Sequence, residues 1–162
     1  MNRNKTMQLA NAGMIAALYV VLTWIANLLG LASGAIQVRL SEALTILPVF
    51  TASAVPGLSV GCVLANLVTG CAPWDVVFGS LATLIGALGT RLLKNKPMLA
   101  WIPPVVSNAA IVPVILLKVY GVPDAWWFLV LTVGAGELIS CGLLGLMLWK
   151  ALKNVPQIRG MK

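Results

Sequence analysis

Six side chains carry most of the chemistry open to this sequence: Arg39, Glu42, Asn66, Asp75, Asn108 and Glu137. Each lies in, or at the end of, an apolar run long enough to sit in a membrane. Arg39 and Glu42 are three residues apart, so on a helix they share a face and can pair. Asp75 stands just behind Pro73, where its charge would suit a helix N-terminus. Asn66 and Asn108 are amides that either join helices by hydrogen bonds or contact a ligand. Glu137 has no basic residue near it in sequence. It lies about 12 residues into its run, roughly 18 Å from the start of a helix rising 1.5 Å per residue. An ionisable group at membrane depth costs about 2.5 kcal/mol or more unless paired or hydrated, which points to binding or proton handling. Gly134, Ser140 and Cys141 share its face. There is no histidine, which removes the usual general base, the triads and imidazole metal sites. No phosphate-binding GxxxxGK[ST] loop occurs, so the chain cannot hydrolyse ATP in that manner by itself. Cys62, Cys71 and Cys141 form no motif and read as small apolar fillers. These residues indicate no enzyme, cofactor or metal centre.

The elements that must hold these groups are membrane helices. Of 162 residues 60% are hydrophobic and 9% charged, and mean hydropathy is +0.97. A soluble domain keeps roughly a quarter of its residues charged, so most of this surface must face lipid. The length suits one domain, 1–162. Six apolar spans are expected, at about 8–29, 36–50, 57–71, 75–93, 98–119 and 125–148. Breaks fall at Gly30, Ser33 and Gly34, at 51–56, at Pro73, at 94–97 and at 120–124. Pro56 is expected in the first turn of the third span. The first span follows Arg3 and Lys5 in the manner of a signal peptide, but its apolar run is too long, and it is expected to be retained.

Charge orients the bundle. With both termini in the cytoplasm, nine of the eleven Lys and Arg residues fall inside, leaving Arg39 and Lys118. Trp74, Trp126 and Trp127 then begin spans on the outer side, and Trp101 and Trp149 lie near the inner boundary. The net charge of +7 flanks apolar segments and forms no stripe, which argues against nucleic acid. Small-residue pairs, Ala12 with Ala16, Gly13 with Ala17, Gly57 with Gly61 and Ala82 with Gly86, allow close helix packing or docking of another membrane subunit.

One stretch is informative beyond its physical chemistry. The run Ile36-Gln37-Val38-Arg39-Leu40-Ser41-Glu42-Ala43-Leu44, with Pro56-Gly57-Leu58, Asn66 and the Asp75–Leu84 segment, resembles the queuosine precursor transporter (QueT) family. The first helix from Ala12 to Thr23 is similar as well, so the resemblance covers nearly the whole chain. It implies a six-helix substrate-binding S-component of an energy-coupling-factor (ECF) importer in a prokaryotic plasma membrane. Such a protein captures a 7-deazapurine, such as preQ1 or queuine, outside the cell. Its implied partners are a transmembrane coupling subunit (EcfT-like) and two cytosolic ATPases, met through a small-residue face on helix one, here Ala12 and Ala16.

The chemistry suits such a ligand. A deazaguanine edge of N–H donors matches a carboxylate, Glu137 or Glu42. Its carbonyl needs a donor, for which Asn66, Asn108 or Arg39 would serve. Trp24, Tyr19 and Trp74 are candidates for the wall against the flat ring. For an aminomethyl cation, Asp75 or Glu42 is the expected counter-ion. Three alternatives stay open: an S-component for another vitamin, a self-sufficient proton-coupled transporter, and a structural subunit with internal ion pairs.

Overall fold

A computed structural model describes residues 3–31 and 36–155, the side chains of residues 3 and 4 excepted. The break expected at Ser33 and Gly34, and the basic residues Arg159 and Lys162, lie outside the described residues. Every regular element among the described residues is helical: α1 (Arg3–Leu28), a 3₁₀ helix (Leu40–Val49), α2 (Ala54–Val68), α3 (Pro73–Leu92), a short 3₁₀ turn (Pro97–Leu99), α4 (Ile102–Lys118), α5 (Trp126–Glu137), a π-helical stretch (Leu138–Leu144) and α6 (Gly145–Leu152). The last three run on as one helix of 27 residues.

Four helices are long and apolar enough to cross a membrane: Lys5–Leu28, Pro73–Leu92, Pro97–Lys118 and Trp126–Leu152. The other two are short. Fifteen residues of α2 reach about 22 Å and ten of the 3₁₀ helix about 20 Å, against a hydrocarbon core of about 30 Å. The second expected span therefore begins later than its apolar pattern suggests. Residues 37–39 are not helical, and Arg39 is an extended cap with φ −100° and ψ 104°. Helix starts follow their punctuation: Pro56 falls in the first turn of α2 and Pro73 opens α3, where a missing N–H costs nothing.

The 3₁₀ helix sits at the centre, packed by α1, α3, the π stretch and α6, with seven of its ten residues buried. Around it, α1 and α2 run side by side in the same direction. A methyl on Gly57 would lie 2.7 Å from the Ala12 carbonyl, and one on Gly61 3.0 Å from Ala16 Cα. Glycine alone permits that approach. On the other side α3 meets α4, with Gly86 against Pro104 and Gly89 against Pro103. The interior is unusually polar, holding Glu42, Thr45, Asn66, Asp75, Thr83, Asn108, Glu137 and Ser140, while Leu, Val and Trp side chains cover the outside. That inversion suits a lipid surround.

Both α1 and α2 close in Schellman turns. Leu31 N–H reaches the Ala26 carbonyl and Cys71 N–H that of Asn66, with Gly30 and Gly70 at φ 70° and 72°, a region open to glycine. Gly136 has a different task. Its Cα faces the passing 37–39 segment so closely that a Cβ would lie 2.1 Å from the Gln37 carbonyl oxygen. Gly136→Ala is expected to destabilise the fold by about 1–3 kcal/mol, read as a lower melting midpoint in detergent; an unchanged midpoint would mean this contact is loose.

Candidate functional site

At the end of the bundle where α1, α2 and α4 stop, a cavity of about 310 Å³ opens. Its polar lining comes chiefly from Thr23, Gln37, Arg39, Asn66, Asp75 and Tyr120. The non-helical 37–39 segment forms one wall. Irregular backbone at membrane depth persists where it is buried or lines a wet cavity, and two of its amides are satisfied here. Val38 N–H donates to Leu31 O at 3.0 Å, and Arg39 N–H to Ser140 Oγ at 3.1 Å. Ser140 in turn donates to Gly136 O at 2.9 Å. It lies in the π stretch, an irregularity that often marks functional sites.

A second layer is fully enclosed. Tyr19 donates its hydroxyl to Glu42 Oε1, and the Cys141 thiol donates to Glu137 Oε2 at 3.2 Å. Ligand atoms of Glu42, Glu137 and Cys141 lie within 4.8 Å of one another, and Asn108 is beside both carboxylates. Thr45 donates to the Glu42 carbonyl at 2.6 Å. Three buried side-chain atoms among the described residues lack a hydrogen-bond partner, and two are here: Glu42 Oε2 and Asn108 Nδ2. Leaving such an atom unsatisfied costs about 1–3 kcal/mol. The Asn108 amide is near enough to act on both carboxylates without closing a well-formed hydrogen bond, an arrangement into which a planar hydrogen-bonding ligand can insert. A divalent ion would find enough oxygen and sulfur, but the nearby Arg39 charge opposes a second cation.

Arg39 joins the layers. It lines the cavity and lies close enough to Glu42 and Glu137 for their charges to interact. It does not form the pair with Glu42 that the three-residue spacing suggests. Glu42 Oε1 takes the Tyr19 hydroxyl and Oε2 has no partner, because Arg39 precedes the helix and shares no face with Glu42. Asn66 and Asp75 meet at the cavity, where Asn66 Nδ2 donates to the Asp75 carbonyl at 3.4 Å.

Three other expectations are corrected. Trp24 is 54% exposed and lines none of the cavity; Trp74, 60% exposed, stacks on Phe78 over a separate apolar groove. Tyr19 is buried as the hydrogen-bond donor to Glu42 and is not a ring wall of the cavity. Ala12 and Ala16 face Gly57 and Gly61 within the chain. Tyr120, Thr23 and Gln37 went unnoticed in the sequence, where each reads as an ordinary span or turn residue. Tyr120 accepts from Ala72 N–H at 3.0 Å and donates to Asp75 Oδ2 at 3.1 Å. Partial desolvation raises its phenol above the ordinary value, with the Asp75 charge adding to the rise, so it stays a donor.

The sequence model of the QueT transporter family matches residues 9–154. Over 86 residues the chain is 34% identical to the queuosine precursor transporter QueT of Lactococcus lactis subsp. cremoris, a match covering 52% of this chain and 50% of that protein. The chain thus spans about half the length of the curated relative it matches. No solved structure matches it significantly.

Proposed function

Because the chain belongs to the QueT transporter family, and so is a multi-pass plasma-membrane protein, we propose that it captures a 7-deazapurine precursor of queuosine outside the cell. It does so as the S-component of an ECF importer. One observation carries the reading: the open acceptor of Glu42 and open donor of Asn108 lie beside Glu137, beneath a cavity lined by Arg39. The guanine-like edge enters against Glu137 and Glu42 as the long Arg39 side chain moves aside, and its carbonyl takes the Asn108 amide.

Six membrane passes with both ends in the cytoplasm fit this role. Lys5, Arg91, Lys94, Lys96, Lys150 and Lys153 gather at the end opposite the cavity, and lysine and arginine favour the cytoplasmic side. The cavity then opens outward. The two short helices leave the depth in which it forms.

Energy comes from partner chains, a coupling subunit and two ATPases. With Ala12 and Ala16 packed inward, the outward small pair on α1 is Gly13 and Ala17, and docking of the coupling subunit falls to it. Vesicles holding this chain alone are expected to take up no deazaguanine under a proton gradient. Uptake appears when the coupling subunit, ATPases and ATP are added, and Gly13→Leu abolishes that uptake while binding persists. Proton-driven uptake by the chain alone would instead establish a secondary transporter.

A further inference from the structure

We propose that Asp75, positioned by Tyr120 at the cavity, is the counter-ion for a protonated amine on the ligand, so that the site selects a base with a cationic side arm. The inference rests on the deazapurine reading above and concerns the opposite end of the ligand.

Asp75 is 6% exposed, yet no cation pairs with it among the described residues. Its one side-chain hydrogen bond there comes from the neutral Tyr120 hydroxyl, to Oδ2. Oδ1 has none. The Asn66 amide beside it is spent on the main-chain carbonyl of Asp75. A methyl on Gly79 would lie 3.1 Å from Asp75 Oδ1 and 3.3 Å from Asn66 Nδ2, so glycine keeps the space around these groups clear. Asp75 stands in the first turn of α3, where its charge also suits the helix dipole, but among the described residues its one side-chain hydrogen bond comes from Tyr120 and none from a backbone N–H of that turn.

The charges of the whole site lead to the same place. Arg39 is the cation that lines the cavity, and it already interacts with Glu42 and Glu137. Glu42 and Glu137 thus draw on the one guanidinium, and Asp75 is left without a cation among the described residues. Asp75 lines the cavity, and an ammonium group that reaches a carboxylate held there by one neutral hydrogen bond adds a charge-assisted bond. It would donate to Oδ1, with further N–H groups free for the hydroxyls and carbonyls of the rim. A neutral arm of similar size would leave Oδ1 unpaired.

The test measures equilibrium binding of 7-aminomethyl-7-deazaguanine and 7-cyano-7-deazaguanine to the full chain in detergent. The two bases share the guanine edge and differ in the charge of the arm. Wild-type protein is expected to bind the aminomethyl base about 30-fold more tightly, since losing one partner of a buried charge pair typically costs at least that much. Asp75→Asn should erase the difference by weakening the aminomethyl base alone. Tyr120→Phe, at a side chain 46% exposed and so outside the packed core, should weaken the same base selectively by a smaller factor; it decides the question if Asp75→Asn does not fold. Equal loss for both bases, or no loss for either, would overturn the counter-ion role. If wild-type protein binds neither base, the deazapurine reading itself fails and the amine subsite falls with it.

Discussion

Glutamine in place of Glu137 is expected to weaken binding of a 7-deazaguanine about 100-fold, the scale set by breaking a buried charge-assisted hydrogen bond. The substitution keeps the shape of the side chain and the Cys141 contact distance. What changes is that one acceptor oxygen becomes an NH₂ donor, which then faces the donors of the base. A buried donor facing a donor leaves both unsatisfied, so the loss exceeds that of simple deletion. Isothermal titration with the detergent-purified chain measures it, with the melting midpoint as a check on folding. Affinity unchanged within a factor of about three, well below one broken hydrogen bond, would take Glu137 out of the site.

Arg39→Ala is the second large effect, and it acts on the protein before any ligand arrives. Glu42 and Glu137 are buried, and Arg39 is the guanidinium whose charge reaches both. Removing it leaves two carboxyl groups within a few ångströms and no cation. Removing one member of a buried charged cluster costs at most the roughly 3–5 kcal/mol of a broken buried ion pair; Arg39 acts here through its charge without a direct pair and the cavity admits water, so about 2–3 kcal/mol is expected. Adding Glu42→Gln should restore part of the loss, because one of the stranded charges is then gone. Thermal unfolding of the single and double variants reads both numbers. Purely additive losses would show that Arg39 and Glu42 do not interact.

The sequence revealed the helices through their punctuation. Pro73 opening α3, Pro56 in the first turn of α2 and the polar break at 94–97 all fall where residue chemistry dictates. The 3₁₀ helix was hidden, because its apolar run from Ile36 does not reveal that residues 37–39 stay extended. That one change of conformation turned an expected Arg39–Glu42 pair into two separate layers of a site. Glu137 was legible as an acid without a neighbour. Its neighbours across the bundle, Glu42 and Asn108, come from two other elements, and no local pattern announces such a meeting. Tyr120 was hidden for the same reason, since its partner Asp75 is 45 residues away. The inward turn of Ala12 and Ala16 was one of two possible rotations of α1, and the glycines of α2 decide it.

The central claim is that this chain, by itself, binds a deazaguanine at the two-layered polar site. Titration of the purified wild-type chain with 7-aminomethyl-7-deazaguanine tests it most directly. Saturable binding at a single site, lost in Glu137→Gln while the melting midpoint is kept, is the predicted result. A folded chain that shows no saturable binding of the base would contradict it.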